Sequence, residues 1–180
     1  MTLDKFTIKA QEAVQEAVNT AQRNGQQTIE PTHLLAGVMA KAKDVVNFLF
    51  QKLGVNGQQI EMLLQQELQH LPRVQGGEPY LSSDANKVLL KAQDYAQKMG
   101  DEFVSVEPIL LALLTEGATA GRIMKDAGIT EKDLRAAIQD LRQSLITSAF
   151  RLFLCRHFGY INNFNKKFCK NAMLEHSLFI

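Results

Sequence analysis

Residues 6–39 read FTIKAQEAVQEAVNTAQRNGQQTIEPTHLLAGVM, and residues 81–114 read LSSDANKVLLKAQDYAQKMGDEFVSVEPILLALL. The two stretches align without a gap at an offset of 75 residues, and the alignment continues at an offset of 74 after one deletion. Self-similarity of this length indicates a duplicated structural unit. Six aligned positions are identical: Ala10/Ala85, Ala17/Ala92, Ala21/Ala96, Gln22/Gln97, Gly25/Gly100 and Leu35/Leu110.

The first copy predicts four helices, because apolar residues recur at helical spacing between capping and stop residues. A hydroxyl ahead of a helix can accept from a free N–H of the first turn, and glycine supplies a left-handed stop. The expected boundaries are Thr7 as the first cap, Gly25 as the first stop, Glu30-Pro31 at the second start, Asp44 and Gly54 around the third helix, and Asn56 and Leu71-Pro72 around the fourth.

The second copy repeats this pattern after a connector, residues 72–80, that contains Gly76-Gly77 and Pro79. Residues 6–71 and 81–143 therefore form the two expected repeats. No sustained alternation of β-branched and polar residues occurs in residues 1–143, so we expect an all-α fold of two four-helix units and no sheet. The expected caps are Ser82 or Ser83, Ser105, a residue near Thr119, and Thr130, and the expected stops are Gly100 and Gly128.

Composition limits the possible partners. The 180 residues are 46% hydrophobic and 22% charged, with a net charge of +1, which is typical of a globular domain and gives no reason to expect nucleic acid. We predict a cytoplasmic protein without a membrane partner, because no N-terminal signal is visible and no segment approaches the ~20 apolar residues of a membrane span.

The last part of the chain differs from the rest. Residues 1–143 carry a net charge of −3, whereas residues 144–180 carry +4, six of the ten phenylalanines and both cysteines. We expect residues 1–143 to form one domain that needs no disulfide and to fold without the tail. A truncated or shifted reading frame and a partly helical appendage both remain open for residues 144–180.

Three stretches carry a resemblance to a known family: LDKFTIKAQEAVQEA at residues 3–17, IEPTHLLAGV at 29–38 and GDEFVSVEPILLALL at 100–114. Together with the LGV and AGI helix ends, they resemble the Clp N-terminal domain family, and most closely its branch on protein disaggregases. The resemblance covers about residues 1–143. It implies an all-helical, pseudo-twofold domain that precedes AAA+ ATPase rings and recruits unfolded or aggregated polypeptide, or adaptor proteins.

The resemblance also implies a shallow peptide groove, where the start of the first helix meets the first helix and following loop of the second repeat. By position the groove falls on Thr7, Tyr95, Asp101, Glu107 and Pro108. Tyr95 and Pro108 depart from the leucines that members often have. Tyrosine keeps apolar area for docking, whereas proline shortens the side chain's reach.

Catalytic and metal chemistry find little support in the sequence. No glycine-rich loop precedes a lysine, so no nucleotide cofactor is expected. His33 lies on an apolar stripe and is predicted to be a packed, hydrogen-bonded histidine. The group Cys155, His157, Cys169 and His176 lacks the close-paired spacing of zinc ligands. We therefore expect no enzyme activity, no cofactor and no metal.

Three functions remain open. The first is a module that recruits substrates for a disaggregase, weakly binding unfolded or aggregated polypeptide. The second is an adaptor-docking domain of a Clp protease ATPase, and the third is a stand-alone helical interaction protein. In each case we expect the body to be monomeric in isolation.

Overall fold

The computed structural model describes residues 3–74 and 77–157, with side chains described up to residue 144. Its order of helices confirms the predicted all-α fold, and α5 and α6 begin and end 75 residues after α1 and α2. Helix α8 begins 74 residues after α4. The described helices are α1 Ile8–Arg23, α2 Pro31–Lys41, α3 Lys43–Leu53, α4 Gly57–His70, α5 Ser83–Lys98, α6 Val106–Glu116, α7 Ala118–Asp126 and α8 Glu131–His157.

The helix ends follow the predicted caps and stops. The Thr7 hydroxyl accepts from the Ala10 N–H at 3.4 Å, and the Ser82 hydroxyl accepts from the Ala85 N–H at 3.0 Å, so Ser82 rather than Ser83 caps α5. Glycines close both helices with left-handed backbone, at φ 67° for Gly25 and φ 78° for Gly100. Because only glycine adopts this conformation at little cost, the stops could be predicted from sequence.

Two predicted caps do not form. The N-cap of α7 is Gly117 rather than a residue near Thr119, so it has no side chain with which to cap the helix. Ser105 stands at the N-cap position of α6, but its side chain makes no capping hydrogen bond. Its hydroxyl is buried and has no partner among the described residues. Ser105 therefore occupies the predicted N-cap position without forming the predicted capping hydrogen bond.

The core is built mainly where the first two helices of each repeat pack together, α1 against α2 and α5 against α6. Leu35 and Leu110, which are identical in the alignment, are both fully buried. In the first repeat α1 and α2 approach so closely that a Cβ on Gly37 would overlap the backbone of Ala13. The other large, fully buried side chains are Leu34, Leu49, Ile60, Leu89, Ile109, Leu111, Leu113, Leu114, Met124 and Ile129.

Short parallel pairings link the repeats, so the prediction of no sheet was wrong. Strand β1, Thr28–Ile29, pairs with β2, Tyr80–Leu81, and an isolated bridge joins Phe6 to Val104. Adding 75 to Phe6 and to Ile29 gives Leu81 and Val104, so the two pairings are counterparts. Strands of one or two residues cannot display the alternation by which strands are predicted.

The chain divides into two compact units between Arg135 and Ala136. Helix α8 crosses this division, and the domain boundary predicted after residue 143 falls within it and stays a prediction. Residues 158–180, including Cys169 and His176, lie outside the described residues. None of the helices described in residues 3–74 and 77–157 is long and apolar enough to cross a membrane.

Candidate peptide-binding site

The bridge between Phe6 and Val104 fixes the start of α1 beside the start of α6. The Val104 N–H donates to the carbonyl of Lys5 at 2.7 Å, and the Thr7 N–H donates to the carbonyl of Val104 at 3.0 Å. The Phe6 and Val104 side chains are buried. We call residues 6–8 and 100–107 together the open junction. Backbone hydrogen bonds join its two segments, and the buried side chains of Phe6 and Val104 pack into the core.

Two large apolar side chains of the open junction lie in solvent. Ile8, the first residue of α1, is 76% exposed, and Phe103, next to the bridge, is 46% exposed. Exposed apolar groups on a hydrogen-bonded frame are a common feature of binding surfaces. They are flanked by two acidic residues, Glu102, which is exposed, and Glu107, which is half-buried in the first turn of α6. The surface is therefore apolar with an acidic border.

Three of the predicted site residues belong to this junction. Thr7 caps α1, Glu107 lies three residues beyond Val104, and half-buried Asp101 follows Gly100. Pro108 is also at the start of α6 but is buried, so it shapes the helix start rather than offering a surface. Their role as a peptide site stays a prediction.

Tyr95 occupies a different position. It is only 5% exposed, and its hydroxyl donates to Thr115 Oγ1 at 3.3 Å. Thr115 lies eight residues beyond Glu107 in α6, or about 12 Å along the helix axis. The hydroxyl of Tyr95 is thus near the other end of α6 from Thr7 and Glu107.

Cations surround the Tyr95 ring. The Nζ atoms of Lys91 and Lys98 lie 5.6 and 5.9 Å from the ring centre, and the guanidinium carbon of Arg135 lies 4.9 Å from it. These distances suit cation–π contacts. The ring is therefore engaged within the domain, and a role in ligand binding requires these neighbours to move.

In the counterpart of the open junction, two connector residues hydrogen-bond to the loop that follows α1. We call residues 81–83 and 25–32 the covered junction, because residues of the connector on both sides of the undescribed 75–76 donate hydrogen bonds to it. The Val74 N–H donates to the carbonyl of Gly25 at 2.8 Å, and the Tyr80 N–H donates to the carbonyl of Gln27 at 2.9 Å. Tyr80 also contacts Thr28, whose hydroxyl lies 3.1 Å from the tyrosine hydroxyl.

A buried polar network supports the covered junction from inside. His33 is fully buried; its Nδ1 accepts from the Glu30 N–H at 3.0 Å and its Nε2 donates to Gln26 Oε1 at 2.8 Å. The Gln26 amide in turn donates to the carbonyl of Leu68. Burial lowers the pKa of His33 to about 4, so the ring is neutral at pH 7. The prediction of a packed, hydrogen-bonded histidine is confirmed.

Sequence reasoning missed Ile8 and Phe103, the two most distinctive residues of the open junction. Comparing the repeats could have found them, since their counterparts Ser83 and Thr28 are polar. An apolar residue at a helix start, where its counterpart is a serine, is a usable signal. As for metals, the side chains described in residues 3–74 and 77–144 include no cluster of three or more His, Cys, Asp or Glu groups that could hold an ion.

Comparisons with known proteins agree with this architecture. Residues 5–127 match the family model of the Clp repeat (R) N-terminal domain. The chaperone protein ClpB of Bacteroides thetaiotaomicron is 59% identical over 143 residues, and ClpB of Porphyromonas gingivalis is 47% identical over 143 residues. Each match covers 79% of this chain and 17% of the relative, so the chain spans about a sixth of the length of these curated relatives.

Solved structures with the same fold include N-terminal domains of related proteins. The Hsp104 N-terminal domain from Candida albicans superposes with a TM-score of 0.69 at 26% identity, covering 77% of this chain and 92% of that one. A ClpV N-domain in complex with a VipB peptide superposes with a TM-score of 0.61 at 16% identity, covering 73% and 83%. At that identity the second likeness shows the fold alone.

Proposed function

The chain belongs to the Clp repeat N-terminal domain family, and on that premise we propose that it recruits substrates for a ClpB-type disaggregase by binding exposed segments of unfolded or aggregated protein. The match to ClpB lies in the N-terminal domain, which is not catalytic. In this proposal the chain supplies binding, and ATP hydrolysis belongs to the ATPase modules that the family's N domains precede.

The observation that carries the proposal is the pair of exposed apolar side chains, Ile8 and Phe103, on the rigid bridge of the open junction. Unfolded chains expose apolar side chains that folded proteins bury, so an apolar surface selects for them. The acidic border of Glu102 and Glu107 favours segments that also carry Lys or Arg, with an attraction that weakens as salt rises.

The size of the surface limits the affinity. Burying on the order of 400 Å² would gain roughly 10 kcal/mol at ~25 cal/mol per Å², before association and ordering costs of similar size are subtracted. Micromolar binding is therefore the strongest that we expect. Weak binding suits a recruiting module, because the captured segment must be released again.

Adaptor docking is the second candidate. It is supported by the ClpV N-domain of the same fold that was solved with a VipB peptide. An adaptor would present a particular folded surface or peptide, whereas an unfolded substrate would present many different segments. The two functions are distinguished by whether unrelated unfolded proteins compete with one another for the domain.

The test is fluorescence anisotropy with a labelled, reduced and carboxymethylated model protein, which is permanently unfolded. Ile8→Ser combined with Phe103→Thr copies the polar counterparts and should weaken binding about tenfold. The matched control, Met62→Ser, removes an exposed apolar side chain from α4 and should leave binding unchanged. Since Ile8 is exposed, Ile8→Ser should change the free energy of unfolding by less than about 0.5 kcal/mol.

Two further variants address the predicted groove. Glu107→Ala should weaken binding by removing part of the acidic border, and Tyr95→Ala tests whether the buried ring takes part. Each must be compared with the parent at the same folded fraction. If the Ile8 and Phe103 double variant binds as well as the parent, the recruiting site lies elsewhere and adaptor docking becomes the better assignment.

A further inference from the structure

The buried histidine of the first repeat links the start of α2 to the end of α4 and to the connector. The Nε2 of His33 donates to Gln26 Oε1 at 2.8 Å, and the Gln26 amide donates to the carbonyl of Leu68, near the end of α4. We propose that His33 is a pH-sensitive switch: protonation of its ring releases the connector and the end of α4 from the covered junction while helices α5 and α6 stay folded.

Gln26 connects the inside of the covered junction to its outside. It lies between Gly25 and Gln27, whose carbonyls accept from the N–H groups of Val74 at 2.8 Å and of Tyr80 at 2.9 Å. Gln26 itself is only 3% exposed, because its side chain reaches inward to the histidine and to α4. A displacement of Gln26 therefore moves both of the carbonyls that hold the connector.

The ring of His33 has no room for a second proton in its folded position. Its Nδ1 accepts from the Glu30 N–H at 3.0 Å, so a proton on Nδ1 would set two donors against each other. The residue is 0% exposed, so the added charge would also lack water. Protonation therefore requires the start of α2, the loop after α1 or the end of α4 to move away from the ring.

The end of α4 and the connector are the parts that separate most easily. The start of α2 is preceded by Ile29, which is buried, pairs with Leu81, and accepts from the Ser82 N–H at 3.0 Å. Residues 69–74, by contrast, are exposed apart from half-buried Leu71. Segments with few buried side chains open at the lowest free energy, so opening should begin at residues 69–74.

The charged side chains around the switch do not replace His33 in this role. Burial accounts for the lowered pKa of His33, and no charged side chain of α1 or of α3–α7, the described helices that pack against α2, contributes to it. The titratable side chains of α4 and of the described part of the connector are all exposed or half-buried: Glu61, Glu67, His70, Arg73, Glu78 and Tyr80.

The opened state should be favoured as the pH falls. A histidine in water takes up a proton near pH 6.5, whereas His33 in the closed state does so only near pH 4. The opened state holds more protons between these values, so its population should rise about tenfold for each pH unit. The second repeat has Pro108 and Asp101 at the positions of His33 and Gln26, so it has no histidine–glutamine pair of this kind.

The experiment is native-state hydrogen exchange on the ¹⁵N-labelled full chain between pH 7 and pH 4.5, at low concentrations of urea. Protection of the Val74 and Tyr80 amides should fall about tenfold per pH unit below pH 6.5, and it should depend little on urea. The amide of Leu110, inside α6, should stay more protected at every pH. Its exchange should rise steeply with urea, because it requires unfolding of the domain.

A matched pair of variants separates the two histidines of the first repeat. His33→Gln removes the titrating ring and should make the protection of Val74 and Tyr80 independent of pH. His70→Gln replaces the exposed histidine at the end of α4 and should keep the slope of the parent chain. If His33→Gln does not fold, the ring nitrogens of His33 in the parent provide the second measurement. Their shifts should report protonation in the same step in which the Val74 and Tyr80 signals move.

The outcomes decide the proposal without involving the recruiting function, because the open junction is not part of the switch. Protection at Val74 and Tyr80 that does not change with pH, or that keeps the parent's slope in His33→Gln, would refute the switch. Exchange of Val74 and Tyr80 with the rate and urea dependence of Leu110 would show that the whole domain opens together, and would overturn it as well.

Discussion

The open and covered junctions share one backbone frame and differ in what lies on it. In both, a residue just before a capped helix pairs with a residue of the other repeat, and both preceding helices end at a left-handed glycine. The covered junction is overlaid by the connector and supported from inside by His33 and Gln26. The open junction presents Ile8 and Phe103 instead. The shared frame therefore carries different exposed side chains at the two junctions.

The largest expected difference between the junctions is in stability. Phe6 is buried beneath the open junction, whereas its counterpart Leu81 is half-buried beneath the connector. Phe6→Ala should therefore lower the free energy of unfolding by about 3–5 kcal/mol, and Leu81→Ala by about 1–2 kcal/mol. Urea unfolding measures both. Equal losses would mean that Phe6 and Leu81 contribute equally to stability, which would contradict the expected difference between the junctions.

The next effect is a pH dependence confined to the first repeat. The unfolded chain protonates His33 near pH 6.5, whereas the folded chain does so only near pH 4. Between these values the unfolded state holds more protons, so stability is full above pH 6.5 and is lost as the pH falls towards 4. The total is roughly 3 kcal/mol, from 1.36 kcal/mol per pKa unit.

This pH effect has a control in the chain. The counterpart of His33 is Pro108, which does not titrate, so the second repeat has no equivalent group. The variant His33→Gln should therefore remove the pH dependence of the free energy of unfolding between pH 6.5 and 4.5. The pKa of Glu16 is lowered by its hydrogen bond to Arg23, so its contribution is lost only at lower pH. A His33→Gln variant that keeps the full slope above pH 4.5 would contradict the assignment.

The smallest effect concerns the two caps. The Ser82 hydroxyl accepts at 3.0 Å and the Thr7 hydroxyl at 3.4 Å, so the bond at Ser82 is the better one. Ser82→Ala should cost about 1 kcal/mol, and Thr7→Ala should cost no more than that. Thermal unfolding at one pH compares them. A Thr7→Ala loss well above that of Ser82→Ala would show that Thr7 stabilises more than its cap.

Much of this architecture could be predicted from the sequence. Helix starts, caps and glycine stops depend on neighbouring residues, so Thr7, Gly25 and Gly100 could be assigned without coordinates. The pairing of Phe6 with Val104 could not, because it joins residues 98 positions apart through strands too short for a pattern. The difference between the open and covered junctions depends on where residues 72–74 and 77–80 lie, which no local rule predicts.

The candidate site was predicted less completely than the fold. The resemblance indicated the start of α1 and the loop before α6, but it also included Tyr95, whose ring is buried among cations. A position carried over from a family keeps its place in the fold but not its surroundings. Lys91 and Lys98 lie one helical turn from Tyr95 on α5, so their proximity could be predicted, whereas the contacts with Thr115 of α6 and Arg135 of α8 could not.

The most direct test of the central claim compares equivalent amides of the two junctions while unfolded protein is added. The ¹⁵N-labelled chain is titrated with the carboxymethylated model protein, and the pairs Ile8/Ser83, Gly100/Gly25 and Phe103/Thr28 are followed in the same spectra. We predict that the first member of each pair shifts and that the second stays in place, because the connector already occupies the covered junction. Equal shifts within the pairs, or shifts confined to Ser83, Gly25 and Thr28, would contradict the claim that the open junction is the recruiting site.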